Sequence, residues 1–187
     1  MAHYYYLVAS FPLLFYETER IPSHQEFLDL CRQHITPRHY QLLSRASTSD
    51  LRPTAPRCRT LDLWREWETA LRNELVMLRG KKKGVETEAY LIGSPGIITA
   101  QQIAREAFVQ ESPLQAEDTL NRARWSYLDD LEVGHYFDIE KILVYALRLQ
   151  ILERKALFDE EKGREMFEKI YAEVTSPIYD NASGGEN

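Results

Sequence analysis

The stretch from Asp138 to Phe158 constrains the fold more than any other part of the sequence. It contains no glycine or proline that would stop a helix, and Asp138 can accept hydrogen bonds from the unpaired N–H groups of a first helical turn. Apolar side chains cover most of the circumference of this helix. Because a helix that is apolar on nearly all sides is buried on several sides, we predict a long central buried helix at about residues 138–158.

The polar side chains of this helix are confined to a narrow basic stripe, formed by Lys141, Arg148 and Lys155. They are spaced by seven residues, which places them on one face, about two turns apart. Two interpretations stay open. The stripe is either a solvated face of a mostly buried helix, or a basic seam that is closed by a partner subunit or by an acidic last helix, which is predicted after Asp159 and carries Glu160, Glu161, Glu165 and Glu168.

Helix start signals recur along the rest of the chain. In a capping box, a Ser or Thr side chain accepts a hydrogen bond from the backbone three residues on, and a Glu or Gln side chain bonds back. The pairs with this spacing are Ser23 and Glu26, Thr99 and Gln102, and Ser112 and Gln115. The apolar run 3–11 has a strand-like composition, but no second strand pattern follows with which it could pair, so we predict that it is also helical. The sequence therefore predicts an all-α protein, a multi-helix bundle.

A long helix is predicted from Thr60 to about Arg79, with Gly80 at its end. The next three residues, Lys81, Lys82 and Lys83, form the lysine cluster and are predicted to lie in an exposed loop. The order G-x4-G-K-[ST], which lets backbone N–H groups surround a phosphate, is absent. A solvated basic loop is favoured, and docking of an acidic partner stays open. A further short helix is predicted over residues 85–92.

The helix after Ser112 carries an apolar face that excludes Trp125. The face comprises Ala116, Leu120, Ala123, Tyr127 and Leu131. Trp125 points well away from it, so this helix either lies between two layers or presents Trp125 to a partner.

The chain has 187 residues, which suits one domain with a substantial core. We predict a single helical domain over residues 1–180, with a possible subdivision in the Ser-, Pro- and Arg-rich linker 44–59, and a disordered tail over residues 181–187. With only two cysteines, a disulfide framework is not indicated.

The net charge of −6 is unevenly distributed. Residues 1–100 carry 13 basic and 11 acidic side chains, whereas residues 101–187 carry 10 and 18. An acidic half would repel phosphates, which argues against nucleic acid as a partner. The apolar run 4–16 is shorter than the roughly 20 residues of a membrane span and has no preceding basic residue, so we expect a soluble, cytoplasmic protein.

Two groups of side chains contain residue types that bind metal ions. Cys31, His34, His39 and Cys58 are residue types that bind zinc, but they lack paired close spacing, so two ordinary cysteines are favoured. Asp129, Asp130, Glu132, His135 and Asp138 form an acidic junction between two helices. Solvent-facing carboxylates with Asp138 as a helix cap are favoured there over a cation site. No catalytic or cofactor-binding motif is recognised.

Two regions resemble a bacterial family of uncharacterised proteins encoded among the subunits of V/A-type ATPases. The first is residues 4–12 (YYYLVASFP), and the second comprises residues 124–129 (RWSYLD), 137–145 (FDIEKILVY) and the positions that follow to Phe167. More distantly, the second region is similar to the helical central-stalk subunit that couples the rotor ring to the stalk. The resemblance implies an all-helical protein without catalytic residues.

From this resemblance we expect a non-catalytic V/A-type ATPase-associated subunit or adaptor, which couples or assembles the central stalk with the membrane rotor ring. Its partners would be stalk and rotor-ring subunits, and it would reach the membrane only through them. The candidate contact residues are Trp125, the basic stripe and the lysine cluster. Two alternatives stay open: a helical regulatory or assembly protein for another partner, and a small metal-dependent protein that uses the acidic junction.

Overall fold

The structure is a computed structural model, and it describes residues 4–18, 20–53, 55–93 and 96–157. Within these ranges every regular element is helical, which confirms the predicted all-α class. The seven α-helices are α1 (Tyr5–Ala9), α2 (His24–His34), α3 (Pro37–Leu43), α4 (Arg59–Lys83), α5 (Ile98–Phe108), α6 (Pro113–Glu132) and α7 (Ile139–Leu157).

The capping box predicted at α2 is confirmed, and at α6 the Ser112 half of the predicted box is present. The Ser23 hydroxyl accepts a hydrogen bond from the Glu26 N–H at 3.1 Å, and the Glu26 carboxylate accepts one from the Ser23 N–H at 3.1 Å. At α6, the Ser112 hydroxyl accepts from the Gln115 N–H at 3.1 Å, and Pro113 occupies the first turn. Each such cap contributes on the order of 1 kcal/mol of stability.

The predicted capping box at Thr99 is wrong, although the helix itself exists. α5 begins at Ile98, so Thr99 is already helical, and Ile97 occupies the capping position without a side-chain hydrogen bond. A capping residue must have a non-helical backbone, which Thr99 does not have.

The predicted end of α4 is also wrong. Gly80 does not stop the helix, which continues to Lys83 and ends at Gly84, where φ is +66°. Gly80 is buried because the returning chain passes over it, and a Cβ at this position would collide with Thr87 Cγ2. The short helix predicted over 85–92 is limited to one 3-10 turn, Glu88–Tyr90.

The central helix is confirmed as α7. Asp138 caps it, since Asp138 Oδ1 accepts a hydrogen bond from the Lys141 N–H at 3.1 Å. Its buried side chains lie all around the helix: Ile139, Ile142, Leu143, Val144, Tyr145, Ala146, Leu147, Arg148, Leu149, Ile151 and Leu152.

Neighbours contact α7 from several directions. The Tyr145 ring lies 4.7 Å from that of Phe11, in the N-terminal segment, and 5.0 Å from that of Phe27, on α2. Gln150 Nε2 donates a hydrogen bond to the Ala46 carbonyl at 2.9 Å, in the connection between α3 and α4. These contacts explain why an apolar surface nearly all round the helix is required.

A second part of the core lies between α4, α5 and α6, since α5 packs against both of the other two helices. On α4, Trp64 and Trp67 are almost fully buried, and the Trp67 ring stacks on Tyr127 of α6 at 4.6 Å. This stack fixes the face that α6 turns towards α4.

The chain divides into two compact units, residues 1–153 and 154–187, and only residues 154–157 of the second are described. The single domain over 1–180 and the subdivision near 44–59 stay predictions. The helix expected after Asp159 and the tail 181–187 lie outside the described residues. In the described part of the chain, no helix is both long and apolar enough to cross a membrane.

Candidate functional site

Lys141 and Arg148 of the basic stripe form ion pairs with side chains of α6. Arg148 Nη2 lies 2.5 Å from Asp129 Oδ1, and Arg148 Nη1 lies 2.5 Å from Glu132 Oε2. Lys141 forms a second ion pair with Glu132. The two cations are seven residues apart and share one face of α7, and the two carboxylates are three residues apart and share one face of α6. These two faces pack against each other, which brings the charges together. The seam is therefore closed by α6 at these positions, whereas Lys155 lies in the last turn of α7.

Burial sets the electrostatics of this seam. Only 10% of the Arg148 side chain is exposed, and burial lowers its pKa, an effect that the charge and hydrogen bond of Asp129 oppose. Nε of Arg148 is buried and has no hydrogen-bond partner among the described residues. An external partner that used Arg148 would have to compete with Asp129 and Glu132 for a desolvated guanidinium group.

Trp125 is half-buried and contacts other parts of the same chain. The Cζ atom of Arg148 lies 5.2 Å from the centre of the Trp125 ring, within range of a cation–π interaction. On another side, the Tyr16 ring approaches Trp125 edge-on at 5.7 Å. Of the two interpretations given by the sequence, these contacts correspond to a helix that lies between two layers.

The N-terminal segment that covers Trp125 is held to α6 by polar contacts. The Tyr16 hydroxyl donates to Asp118 Oδ1 at 2.7 Å, and burial raises the pKa of this phenol. Arg122 pairs with Asp118 at 2.8 Å and with Glu17 at 2.7 Å. These contacts therefore hold the N-terminal segment in a defined position over Trp125.

A buried charged network, which no sequence pattern predicted, lies between α4 and α6. Arg124 Nε and Nη2 each donate to a different oxygen of Glu68 at 3.0 Å. Arg72 Nε donates to the same carboxylate at 2.9 Å, and Asn121 accepts from Arg124 Nη1 at 2.8 Å. Two-pronged pairing of this kind compensates part of the cost of burying the charges.

The most buried face of α6 therefore differs from the predicted one. It comprises Leu120, Asn121, Arg124 and Leu128. Periodicity of apolar residues could not reveal it, because two of the four side chains are polar. The available signal was the position of Arg124 beside Trp125, within the region that carries the resemblance.

The lysine cluster forms the last turn of α4, and all three side chains are exposed. Lys82 Nζ lies 5.5 Å from the centre of the Phe108 ring. Lysines in a last turn face the partial negative charge of the helix end, which stabilises them in place. The cluster is a positive surface on a rigid element and not, as predicted, on a loop.

The residues of the acidic junction make different contacts. Asp129 and Glu132 pair with cations of α7, whereas His135 Nδ1 lies 2.6 Å from Asp138 Oδ2. Among the described residues, His135, Asp138 and Glu140 are the one group of three potential metal ligands whose atoms lie within 4.8 Å of one another. A cation there would compete with the capping bond and with His135 for the oxygens of Asp138. The metal hypothesis stays a prediction, which elemental analysis of the purified protein would test.

No three of the four potential zinc ligands, Cys31, His34, His39 and Cys58, lie together in the part of the chain that the structure describes. Cys31 is fully buried, and burial raises the pKa of its thiol to about 12, which disfavours the thiolate that binds metal. His39 Nδ1 instead lies 2.6 Å from the Tyr4 hydroxyl.

Comparisons with known proteins give one match. A family model described as a protein of unknown function (DUF2764) matches residues 58–177, a range that includes α4 to α7 and the charged groups described above. No curated protein and no solved structure matches the chain.

Proposed function

The chain belongs to the DUF2764 family, whose function is unknown, and we propose that it is a non-catalytic adaptor of a V/A-type ATPase. It would couple or assemble the central stalk with the membrane rotor ring. The choice of partner rests on the resemblance of residues 4–12 and of the region from residue 124 onward to proteins encoded among subunits of that ATPase.

The observation that carries the adaptor role is the exposed lysine cluster at the end of α4. The preceding turns of this 25-residue helix are anchored in the core by Trp64, Trp67 and Leu71, so the three lysines are held on a rigid support. Clustered positive charge steers association with an acidic protein surface and sets its orientation. Lys141 and Arg148 are less suited to this role because their charges are compensated by α6.

The first test is affinity purification of the tagged protein from detergent-solubilised cells of its own organism, followed by mass spectrometry. We expect the catalytic head, stalk and ring subunits to be recovered together. Recovery of none of these subunits would contradict the ATPase assignment. Recovery of a different, defined complex would favour the alternative of a regulatory or assembly protein for another partner.

A charge-reversal variant tests the part played by the lysine cluster. We expect the triple change Lys81→Glu, Lys82→Glu and Lys83→Glu to reduce recovery of the ATPase subunits and the salt sensitivity of binding. The matched control reverses three exposed arginines elsewhere and alters the net charge equally: Arg20→Glu, Arg38→Glu and Arg57→Glu. Equal losses in both variants would assign the effect to net charge and would contradict docking through the cluster.

A further inference from the structure

Residues 45–49, in the connection between α3 and α4, are bound by side chains of both α4 and α7, and we name this segment the strap. Its five consecutive backbone carbonyls each accept a hydrogen bond from a side chain: Arg45 from Arg65, Ala46 from Gln150, Ser47 from Trp64, and both Thr48 and Ser49 from Arg72. Backbone groups outside a helix or sheet need such partners when they are buried. The side chains of two helices therefore supply the hydrogen bonds that hold the strap.

On the α7 side, Gln150 holds the strap through both ends of its side-chain amide. Gln150 Oε1 accepts hydrogen bonds from the Thr48 N–H at 3.0 Å and from the Thr48 hydroxyl at 3.3 Å. Gln150 Nε2 donates to the Ala46 carbonyl at 2.9 Å. Because a backbone N–H can only donate and a carbonyl can only accept, these contacts fix the orientation of the amide.

The same amide nitrogen also meets a histidine. Gln150 Nε2 lies 3.1 Å from Nε2 of His24, in the first turn of α2. An amide N–H₂ group only donates, so His24 Nε2 must accept, and the ring is neutral with its proton on Nδ1. Burial lowers the pKa of His24, which keeps the ring neutral near pH 7. Protonation of His24 would set two N–H donors against each other.

The charged neighbour of His24 on α7 is Glu153. Its Oε1 atom accepts a hydrogen bond from the His24 backbone N–H at 2.6 Å, and its charge favours the protonated ring, against the effect of burial. On α2 itself, the Glu26 carboxylate bonds to the Ser23 N–H. The strap meets Gln150 with backbone groups and the Thr48 hydroxyl, which do not titrate. Histidine is the side chain that ordinarily changes charge between pH 5 and 8, so His24 is the titrating group of this arrangement.

We propose that His24 and Gln150 form a pH-sensitive latch, which holds the strap on α7 while His24 is neutral and releases it when His24 is protonated. A charged donor forms a stronger hydrogen bond than a neutral one, so the imidazolium N–H competes for Gln150 Oε1. If the amide turns to present Oε1 to His24, its bonds to the Thr48 N–H and to the Ala46 carbonyl are lost together. The bonds from α4 remain, so the opening is local. This inference does not depend on the ATPase assignment.

Hydrogen exchange of the Thr48 N–H, measured by nuclear magnetic resonance on the full chain, tests the latch. We expect its protection factor, which corrects for the intrinsic pH dependence of exchange, to fall at least about tenfold between about pH 7.5 and pH 5.5. The midpoint of this change should coincide with the titration midpoint of the His24 ring. Unchanged protection of Thr48 would mean that the ring turns away without releasing the strap, and it would overturn the proposal.

The matched control within the wild-type chain is the Ile92 N–H. It donates to Asn73 Oδ1 at 3.1 Å, while Asn73 Nδ2 donates to the Ile92 carbonyl at 2.6 Å, so a side-chain amide of α4 holds a loop backbone in a similar way. We expect the protection of Ile92 to stay constant over the same pH range. An equal loss at Thr48 and Ile92 would indicate a global loss of stability and would overturn a local latch.

Two variants assign the effect to one histidine. His24→Phe retains an aromatic ring that cannot be protonated, so the protection of the Thr48 N–H should become the same at both pH values. His34→Phe, at an exposed position near the other end of α2, should retain the full decrease. Persistence of the decrease in His24→Phe, or its disappearance in His34→Phe, would overturn the assignment to His24.

Discussion

Glu68 is fully buried, and its carboxylate accepts hydrogen bonds from the guanidinium groups of Arg72 and Arg124. Because a buried charge that loses its partner keeps its desolvation cost, changes at this network should be far more costly than changes at the surface.

We predict that Glu68→Gln, which preserves volume but removes the charge, lowers the free energy of unfolding by about 3–5 kcal/mol, as for other broken buried ion pairs. The matched control is Glu86→Gln, at an exposed position just beyond the end of the same helix, which should change stability by less than about 0.5 kcal/mol. Urea denaturation measures both. Equal denaturation midpoints for the two variants would contradict a stabilising role of the network.

Arg148 gives a second prediction at this scale. Arg148→Glu would place a third carboxylate beside Asp129 and Glu132, so it should destabilise the protein more than Arg148→Met, which retains much of the apolar stem. Thermal denaturation of both variants measures the difference. If Arg148→Glu remained as stable as the wild type and lost only partner binding, the residue would be an interface residue and not a structural one.

At the scale of a single element, the end of α4 decides where the lysine cluster lies. Gly84 has φ of +66°, a conformation in which a side chain is strained, although a Cβ there would meet nothing within 4 Å. The end of α4 therefore requires glycine because of the positive φ angle, and not because a side chain would collide with a neighbour.

We predict that Gly84→Ala lowers the free energy of unfolding by about 1 kcal/mol. Gly93→Ala is the control, since a Cβ at Gly93 also meets nothing within 4 Å but its φ is not positive. It should be neutral or slightly stabilising. Chemical denaturation separates the two, and a neutral Gly84→Ala would contradict the left-handed helix end.

At the scale of the whole molecule, two histidines link stability to pH. Burial lowers the pKa of His24 and of His39 below the usual 6.5, although Glu153 opposes the shift at His24. The unfolded chain therefore binds more protons than the folded one as the pH falls through about 6.5, and stability must decrease.

We expect the free energy of unfolding to be lower at about pH 5.5 than at about pH 7.5. The double variant His24→Gln, His39→Gln should show a smaller difference between the two conditions, whereas His34→Gln, at an exposed position, should resemble the wild type. Urea denaturation across this range provides the measurement. Retention of the full pH dependence in the double variant would contradict the assignment to these histidines.

Elements whose signals are local could be predicted from the amino-acid sequence alone. Ser23, Ser112 and Asp138 cap helices because a cap needs only N–H groups two or three residues away. The burial of α7 followed from its apolar circumference. The basic stripe and the lysine cluster were also visible as charges, since composition and spacing do not depend on the fold.

Which charges are compensated could not be predicted, because it depends on the tertiary packing of the helices. Arg124 meets Glu68 across 56 residues, and Arg148 meets Asp129 across 19, so these pairs depend on which helix faces come together. The same holds for Gly80, whose burial depends on the return of the chain at Thr87, and for the ring contact between Tyr5 and Phe137. Side-chain patterns report local geometry, whereas compensation of a buried charge depends on partners that are distant in sequence.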